Sequence, residues 1–305
     1  KLRDLHALST MVAVAETGSA TAAAQRLQVT QPSVTRQIAA LERQVGARLF
    51  DRSTVGMTPT RQGEVLLARA RRALRELEKA ELELRPQPDQ LVGTVTVGLL
   101  ASLAPRVAAP LVRELRASHP RLSLRVLVAY SGDLERWVEE GDLDLALLYN
   151  PPPRRRFDVR HVLVERLCVL MPRHADAAGA LAQGVPLETL VSHPLVLPAP
   201  GHGLRVLIDS ALATAGLDVA PVAETNSMEI QRALVREGIG WTVLPEVGAL
   251  GAAERDDLEV RPVVPAVWRR VVLARARTAD AQPSVGVVAE LLESLIVPLG
   301  PRVRS

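Results

Sequence analysis

The 305-residue sequence contains little cysteine, few aromatic residues and no long apolar run. Its single cysteine, Cys168, excludes an intramolecular disulfide and a zinc site of cysteine pairs, and favours a reducing, cytoplasmic location. Because only 2% of the residues are aromatic, we expect cores built from Leu, Val and Ala. The longest stretches without a charge, 90–105 and 189–204, contain Gly or Pro and are shorter than the about 20 apolar residues of a spanning helix. We therefore do not expect a membrane protein. The apolar neighbours of Cys168 favour a buried thiol over a reactive one.

Charge is distributed unevenly along the chain. The formal net charge is +3, but residues 1–75 contain 12 basic and 5 acidic residues, whereas the rest contains 25 basic and 29 acidic. A basic N-terminal segment on an acidic body predicts that one end of the protein meets a polyanion. Lys1 and Arg3 precede an apolar stretch, as in a secretory signal, but the helical spacing of its apolar residues favours a domain helix.

Three short helices are predicted in the first 45 residues. Gly18 ends the first, Ser19 caps the second, and Thr30 with Pro32 begins the third. The apolar stripe of the third helix comprises Val34, Ile38 and Leu41. Its outward face comprises Gln31, Ser33, Thr35, Arg36, Gln37 and Arg43. Arg reads guanine and Gln reads adenine in the major groove, while hydroxyls contact phosphates, so this face indicates a DNA-recognition helix. Plain exposure to solvent is the alternative.

An extended segment follows the third helix. It begins at Leu49–Arg52, turns at Gly56 and closes at Thr58–Thr60 before another helix starts. This is the layout of a wing, a hairpin that lies along the DNA backbone. The presence of a wing favours DNA binding over plain solvent exposure of the preceding helix.

These N-terminal residues resemble the LysR-type transcriptional regulators. The family's motif is matched by Ala13–Ser19, Thr21–Ala24, Leu27, Thr30–Ile38, Leu41-Glu42, Gly46, Leu49-Phe50, Arg52, Thr58–Thr60 and Gly63. The resemblance implies that Gln31, Pro32 and Arg36 approach base edges and that Thr35 and Arg52 contact phosphates. The further DNA-binding residues that we predict are Thr21, Ser33, Gln37 and Arg61.

The sequence departs from the family pattern in three places. Met11 and Ala20 stand where the family usually has Phe, which implies a softer, smaller core. Thr54-Val55 occupies wing positions where basic residues are common, so Arg52 and Arg61 are the remaining candidates for backbone contacts there.

A long charged helix is predicted from Thr60 to about Arg85. A seam at coiled-coil spacing comprises Leu66, Ala70, Ala73, Leu77, Ala80 and Leu84. Such a seam needs a partner, and the family's linker helix dimerises in this way; packing on its own domain is the alternative. A dimer would place two recognition helices in successive major grooves of an imperfect palindrome. Pro86 and Pro88 mark a hinge.

Apolar strands alternate with helices after the hinge, which predicts βαβ units and a mostly parallel sheet. The predicted strands span residues 94–99, 122–128, 143–149, 167–171, 195–197, 219–224, 241–244 and 269–276. The predicted helices span residues 103–117, 133–139, 204–215, 228–236 and 284–296. Gly141–Ala146 and Val235–Gly240 with Val243–Pro245 extend the LysR resemblance, and the nitrogen-assimilation regulators look closest.

The resemblance implies an α/β protein of three parts. These are a winged helix-turn-helix domain over 1–60, a linker helix and hinge over 61–88, and an effector domain over 89–305. The effector domain is expected to have two lobes of periplasmic-binding-protein type, one at about 93–161 plus 266–298 and the other at about 162–265.

Strand ends in such lobes meet at a cleft, where helix N-termini attract anions. The candidate effector residues at these ends are Ser102, Ser131, Tyr149, Asn150, His202, Asn226 and Ser227. Small hydroxyl and amide groups fit a small, anionic effector. The three serines are also ordinary N-caps, and His202 lies between glycines as a loop residue would. Arg205 either neutralises an anion or points to solvent.

No catalytic, metal or cofactor motif is present in the sequence. The six histidines lack metal-ligand spacing, and no nucleophile elbow or phosphate-binding loop occurs. We therefore predict a regulator without cofactor or metal. Its expected partners are double-stranded operator DNA, a small-molecule effector, further copies in a dimer or tetramer, and RNA polymerase. The alternative is a small-molecule-binding α/β protein or enzyme with an incidental basic N-terminal domain.

Overall fold

The computed structural model describes residues 4–53, 56–84, 91–151, 157–173, 175, 180–277 and 282–300. The chain divides into two compact units, Lys1–Gln87 and Pro88–Ser305. The predicted hinge prolines Pro86 and Pro88 and the wing residues Thr54 and Val55 lie outside the described residues.

The first unit contains four helices and a hairpin among its described residues. Its elements are α1 (Leu5–Thr17), α2 (Ala20–Arg26), α3 (Gln31–Val45), β1 (Phe50–Ser53), β2 (Gly56–Pro59) and α4 (Arg61–Leu84). Asp4 caps α1 by accepting the N–H groups of His6 and Ala7, and α1 ends at Gly18 in the left-handed conformation. Ser19 caps α2 as predicted. Thr30 stands at the N-cap of α3 but makes no side-chain cap hydrogen bond.

The core of the first unit joins all of these helices. Met11, Val34 and Ile38 are fully buried in it, and Leu67 brings the start of α4 into the same cluster. The hairpin is held from two sides: Met57 N–H donates to the carbonyl of Gly18, and Gly63 of α4 lies against the backbone of Leu49. The predicted winged helix-turn-helix is therefore present.

The second unit alternates strands and helices. Its elements are β3 (Gly93–Leu100), α5 (Ala104–Ser118), β4 (Leu122–Ala129), α6 (Ser131–Glu139), β5 (Leu145–Tyr149), β6 (Phe157–Pro172), β7 (Val185–Pro186), α7 (Leu187–Val191), β8 (Val196–Leu197), α8 (Gly203–Thr214), β9 (Ala223–Glu224), α9 (Met228–Arg236), β10 (Thr242–Pro245), α10 (Glu246–Asp256), β11 (Leu258–Val264), β12 (Trp268–Ala276) and α11 (Pro283–Ile296). A short 3-10 turn at Val297–Leu299 follows α11.

One mixed sheet runs through this unit in the order β4-β3-β5-β12-β6-β11-β7, with β10 also paired to β6. The strands β3, β4 and β5 are parallel, but β12 is antiparallel to β5 and β6, and β10 and β11 are antiparallel to β6. The expectation of a mostly parallel sheet was therefore wrong. The reason is that β6 carries the chain from one lobe into the other and β12 carries it back, so each runs antiparallel to the strands beside it.

Two lobes share the long strand β6. Its first half pairs with β12 in lobe I, which also contains β3, β4, β5, α5, α6 and α11. Its second half pairs with β10 and β11 in lobe II, which contains the elements from β7 to β11. The sequence predicted only residues 167–171 of this strand, because residues 158–166 contain many charged side chains. It also missed α10 and β11.

The cores are aliphatic, as the composition predicted. Lobe I buries mainly Leu and Val around β3 and β5, and lobe II buries apolar side chains on both faces of its part of the sheet. Cys168 is buried in the lobe II core. In the described part of the chain, no helix combines the length and apolar character needed to cross a bilayer. The same residues contain no cluster of potential metal ligands.

Candidate DNA interface and effector cleft

The start of α3 presents polar side chains to solvent. Gln31, Pro32 and Arg36 are exposed, while Ser33 and Thr35 are half-buried beside them. Gln31 Nε2 donates to Thr35 Oγ1 at 3.0 Å, and Arg36 Nε donates to the carbonyl of Pro32 at 3.3 Å. These contacts one turn apart hold the side chains along a single helix face, as a surface that reads base edges requires.

Gln37 differs from the predicted outward position. Its side chain is half-buried, and its Oε1 accepts a hydrogen bond from the hydroxyl of Thr10, a buried residue of α1. The physical reason is that an unpaired hydroxyl inside the core would be costly, and Gln37 satisfies it. Gln37 thus fixes α3 against α1 in this structure.

The hairpin and its neighbours carry the other predicted DNA contacts. Thr21, Arg52 and Arg61 are all exposed. The carboxylate of Glu42 accepts the N–H groups of Leu49 at 2.8 Å and Phe50 at 3.3 Å, so the end of α3 sets where the hairpin begins.

A concave basic surface lies beside the second half of α3. It is lined by Arg36, Ala39, Glu42, Arg43, Gly46, Ala47 and Arg48. Arg43 and Arg48 are exposed, and within the described residues neither forms an ion pair. The Glu42 carboxylate on this surface is engaged by backbone N–H groups. The sequence reading placed Arg43 on the outward face but missed Arg48, because Arg48 follows the helix in a turn.

The predicted seam of α4 divides into two parts. Ala70 is buried in the core of its own unit, as the packing alternative proposed, and Leu66 packs against that core. Farther along, Leu77 remains 44% exposed, and Ala73 and Ala80 are exposed as well. The second half of the described helix therefore carries apolar surface with no partner among the described residues of its own unit.

A cleft of about 500 Å³, its open mouth included, lies between the two lobes of the second unit. Its lining comprises Leu100, Ala101, Ser102, Ala129, Tyr130, Ser131, Tyr149, Pro198, His202, Leu204, Thr225, Asn226, Met228, Gln231, Leu244, Pro245 and Arg269. The N-terminal ends of α6, α8 and α9 all contribute residues to it. Most of the lining is apolar, with a few polar groups among it.

Five of the seven predicted effector residues line this cleft. They are Ser102, Ser131, Tyr149, His202 and Asn226. Asn150 does not, because its Oδ1 accepts the N–H of Arg270 and so closes the end of the β5–β12 pair. Ser227 does not either, because its hydroxyl caps α9 by accepting the N–H of Ile230.

Two of the lining residues are tied down by backbone contacts. Ser131 Oγ accepts the N–H of Tyr149 at 3.1 Å, which joins the start of α6 to the end of β5. Asn226 Oδ1 accepts the N–H of Ala199 at 3.1 Å. These contacts fix the polar lining before any ligand arrives.

Arg269 is the cation of the cleft among the described lining residues. It is 3% exposed and donates from Nε and Nη2 to Oε1 of Glu165, at 2.9 and 2.7 Å. Arg205, for which the sequence left anion binding and solvent exposure open, is bound by Asp209, Glu224 and the carbonyl of Pro198. Neither guanidinium therefore offers an uncompensated positive charge.

His202 and Tyr149 are neutral groups in this cleft at neutral pH. Burial, and then the charge of Arg269, lowers the pKa of His202. Burial raises the pKa of Tyr149. His202 caps α8 because its Nδ1 accepts the N–H of Leu204 at 3.2 Å, so the neutral ring carries its proton on Nε2. Its ring also lies edge-on to Tyr130, with 4.5 Å between centroids.

Several lining residues were not predicted from the sequence. Arg269 was placed at the start of a strand, but no local pattern pairs it with Glu165, which is 104 residues away. Gln231 is buried on α9, and in the described structure its Nε2 has no hydrogen-bond partner. A helix pattern alone shows such a residue only as a polar interruption.

The comparisons with known proteins agree over both units. Residues 5–64 match the bacterial regulatory helix-turn-helix family of LysR type, and residues 88–295 match the LysR substrate binding domain. The regulator BbuR of Bordetella bronchiseptica is 32% identical over 245 residues, which cover 80% of this chain and 75% of BbuR. The nitrogen assimilation regulatory protein Nac of Klebsiella aerogenes is 29% identical over 297 residues, which cover 96% and 95%.

Solved structures show the same fold. Full-length OxyR from Pseudomonas aeruginosa has a TM-score of 0.72 at 23% identity, with 98% of each chain covered. CbnR complexed with its target DNA has a TM-score of 0.71 at 21% identity, with 96% of this chain and 99% of CbnR covered. The curated relatives are transcription regulators, which decides against the enzyme alternative. The chain belongs to the LysR family of helix-turn-helix transcriptional regulators.

Proposed function

We propose that this protein binds operator DNA through residues 1–60, dimerises through residues 61–88, and senses a small anionic effector with residues 89–305. The exposed start of α3 beside a hairpin supports the first part, and the lined cleft between two lobes supports the last. Chromosomal DNA as the target places the protein in the cytoplasm, with RNA polymerase as a further partner at the promoter.

Base reading is assigned to the first two turns of α3. Gln31, Pro32 and Arg36 approach base edges, because they are exposed on one face of the helix. The predicted backbone contacts come from Thr21, Ser33, Thr35, Arg52 and Arg61. Gln37 supports α3 from behind through its contact with Thr10.

Dimerisation is assigned to the exposed seam of α4. Leu77 and Ala80 are exposed apolar residues in the highly charged second half of α4, and a second copy of the same helix matches them by symmetry. Two recognition helices then read the halves of an imperfect palindrome. We expect two such dimers to form a tetramer through their effector domains, as members of the family often do.

The effector is a small molecule with one anionic group and an apolar body. Helix N-termini favour negative charge, and three helices, α6, α8 and α9, begin at the cleft. The Arg269–Glu165 pair adds no net charge, which argues for a single carboxylate rather than two. The aliphatic lining accommodates the rest of the ligand.

The test uses the full-length protein and genomic fragments selected by binding to it. Arg36→Ala should weaken binding to a selected fragment by about 1–3 kcal/mol while weakening binding to random duplex far less. Equal losses on both DNAs would contradict base reading by Arg36. A panel of small carboxylates should include one that raises the Tm and changes occupancy of the fragment. If no compound changes occupancy, the sensor role fails.

A further inference from the structure

A chain of hydrogen bonds crosses the middle of the effector unit. Arg269 of β12 donates from Nη2 to Ser102 Oγ at 2.7 Å, and Ser102 lies just after β3 in lobe I. The same guanidinium is bound to Glu165 of β6. Glu165 Oε2 in turn accepts the N–H of Val247, in the first turn of α10 in lobe II, at 3.0 Å. The chain thus joins the two lobes through the two strands that pass between them.

All three side chains that form this series of hydrogen bonds are buried. Ser102 is 8% exposed, Arg269 3% and Glu165 1%. Taking two opposite charges out of water is unfavourable unless every polar atom finds a partner, and a well-packed apolar pair is often as stable. Stability alone is therefore a poor explanation for the buried Arg269–Glu165 pair beside the cleft, and a role in ligand binding is the alternative.

The bond to Arg269 determines what the Ser102 hydroxyl can do. A hydroxyl has one donor hydrogen and two acceptor lone pairs. Because Arg269 Nη2 can only donate, it occupies a lone pair of Ser102 Oγ and leaves the hydrogen free. Ser102 lines the cleft, so its remaining hydrogen is available to a hydrogen-bond acceptor on a ligand.

We propose that Arg269 and Glu165 are positioning residues of the effector site, which orient Ser102 as a donor and couple it to α10. This inference rests on the proposed function and deepens it. The effector carries its acceptor, a carboxylate oxygen, against Ser102. An ammonium group there is disfavoured, because Ser102 Oγ already accepts from Arg269 and presents its hydrogen to the cleft.

Ser102 also lies close to the backbone of α10. A Cβ added at Gly248 would lie 3.0 Å from Ser102 Cβ, so α10 passes the serine at close range. A ligand that shifts Ser102 by a fraction of an ångström therefore acts on lobe II in two ways. It presses on α10 at Gly248, and it pulls on the helix start through Arg269 and Glu165.

The experiment measures binding of C4–C8 monocarboxylates and their matched primary amines to the full-length protein by thermal shift and calorimetry. The variants are Ser102→Ala, Arg269→Lys, the double variant Glu165→Leu/Arg269→Leu, and the triple combination with Ser102→Ala. Leu at both positions removes the pair without leaving an orphan buried charge. The control is Arg106→Leu/Glu254→Leu, which removes a surface ion pair between α5 and α10 that does not line the cleft.

The expected result is that a monocarboxylate binds wild type and loses about tenfold or more in affinity in Ser102→Ala and in the double variant. The triple variant should be no weaker than the double, because both changes remove the same hydrogen bond. Arg269→Lys retains a donor and should keep most of the affinity, and the surface control should keep all of it. No amine should bind wild type.

Two results would overturn this inference while leaving the sensor role intact. One is unchanged carboxylate affinity in the double variant. The other is a triple variant whose loss equals the product of the separate losses, as independent structural damage would produce. If the double variant does not fold, Glu165→Gln/Arg269→Met takes its place, because it also removes both charges at similar side-chain volume and carries the same expected loss of affinity. Failure of every carboxylate on wild type would instead refute the proposed ligand class, and this inference with it.

Discussion

Single side chains in this protein often connect elements that are distant in the sequence. Gln37 accepts a hydrogen bond from the Thr10 hydroxyl, and Ser131 joins α6 to β5. Arg269 forms an ion pair with Glu165, which lies 104 residues earlier in the sequence. The residue types at the cleft were predictable, since strand ends and helix caps select small polar groups. Their partners were not, because pairing depends on which strands become neighbours. This is why Arg269 was missed and why the choice between ligand contact and helix cap for Ser227 stayed open until the structure showed the cap.

The pH dependence of stability tests the environment of His202. Because burial and Arg269 lower its pKa in the folded state, the unfolded chain binds more protons below about pH 6.5. The contribution of neutral His202 is therefore fully present above that pH and is lost as the pH falls below it. Urea unfolding at pH 7.5 and 5.5 should show a larger loss for wild type than for His202→Asn. Asn keeps the cap but does not titrate; equal losses would contradict the assignment.

Elements with clear caps and periodicity were predicted well, whereas elements defined by pairing were not. The helix α9 matched the predicted bounds, whereas both ends of α5 and α8 and the start of α11 differed by one residue. The first half of β6 was missed because its charged residues suit a strand only when β12 lies beside it. Its buried Glu165 resembles a surface residue until Arg269 is placed.

The junction of α4 with the hairpin is tested by two glycine substitutions. A Cβ at Gly63 would lie 2.0 Å from the carbonyl oxygen of Leu49, which is fixed backbone. Gly63→Ala should therefore destabilise the protein by about 1–3 kcal/mol in urea unfolding. Gly286→Ala, in the first turn of α11 with nothing within 4 Å, should instead stabilise it by about 0.5–1 kcal/mol. A neutral Gly63→Ala would show that α4 is free to move away.

The concave surface beside α3 predicts an electrostatic contribution to DNA binding. Arg43 and Arg48 are exposed on it, so Arg43→Ala/Arg48→Ala should weaken binding to random 20-base-pair duplex. Each lost phosphate contact lowers the slope of log K against log salt by about 0.9, so the slope should fall by up to about 2. Anisotropy titrations at several NaCl concentrations measure it. The matched control, Arg113→Ala/Arg116→Ala on α5, should leave the slope unchanged.

At the scale of the whole molecule, a basic N-terminal segment precedes an acidic body, and the structure divides into the compact units Lys1–Gln87 and Pro88–Ser305. The sequence also predicted the lobed α/β architecture, since alternating strands and helices leave few other solutions. It did not predict the mixed sheet, because strand direction is set by long connections. The local residue pattern likewise does not determine which surface covers the seam of α4; only the family resemblance indicated a second copy.

Self-association through α4 is tested at Leu77. Leu77→Glu places a carboxylate on the exposed seam, and burying it unpaired against a second copy should raise the dimer dissociation constant about tenfold or more. Sedimentation across a concentration series measures this constant. Ala68→Glu adds the same charge at an exposed position two and a half turns earlier, on the opposite side of the helix, and should leave the constant unchanged. An unaltered constant in Leu77→Glu would place the dimer contact elsewhere.

Burial of Cys168 has a practical use. The thiol is enclosed in the lobe II core, and burial raises its pKa to about 12, so it is almost entirely protonated at neutral pH. An alkylating dye would pass it by and react with a cysteine engineered on the surface. Site-specific fluorophores can therefore be attached to α4 or to either lobe of the otherwise native protein. Changes in distance on adding a ligand could then be followed by energy transfer.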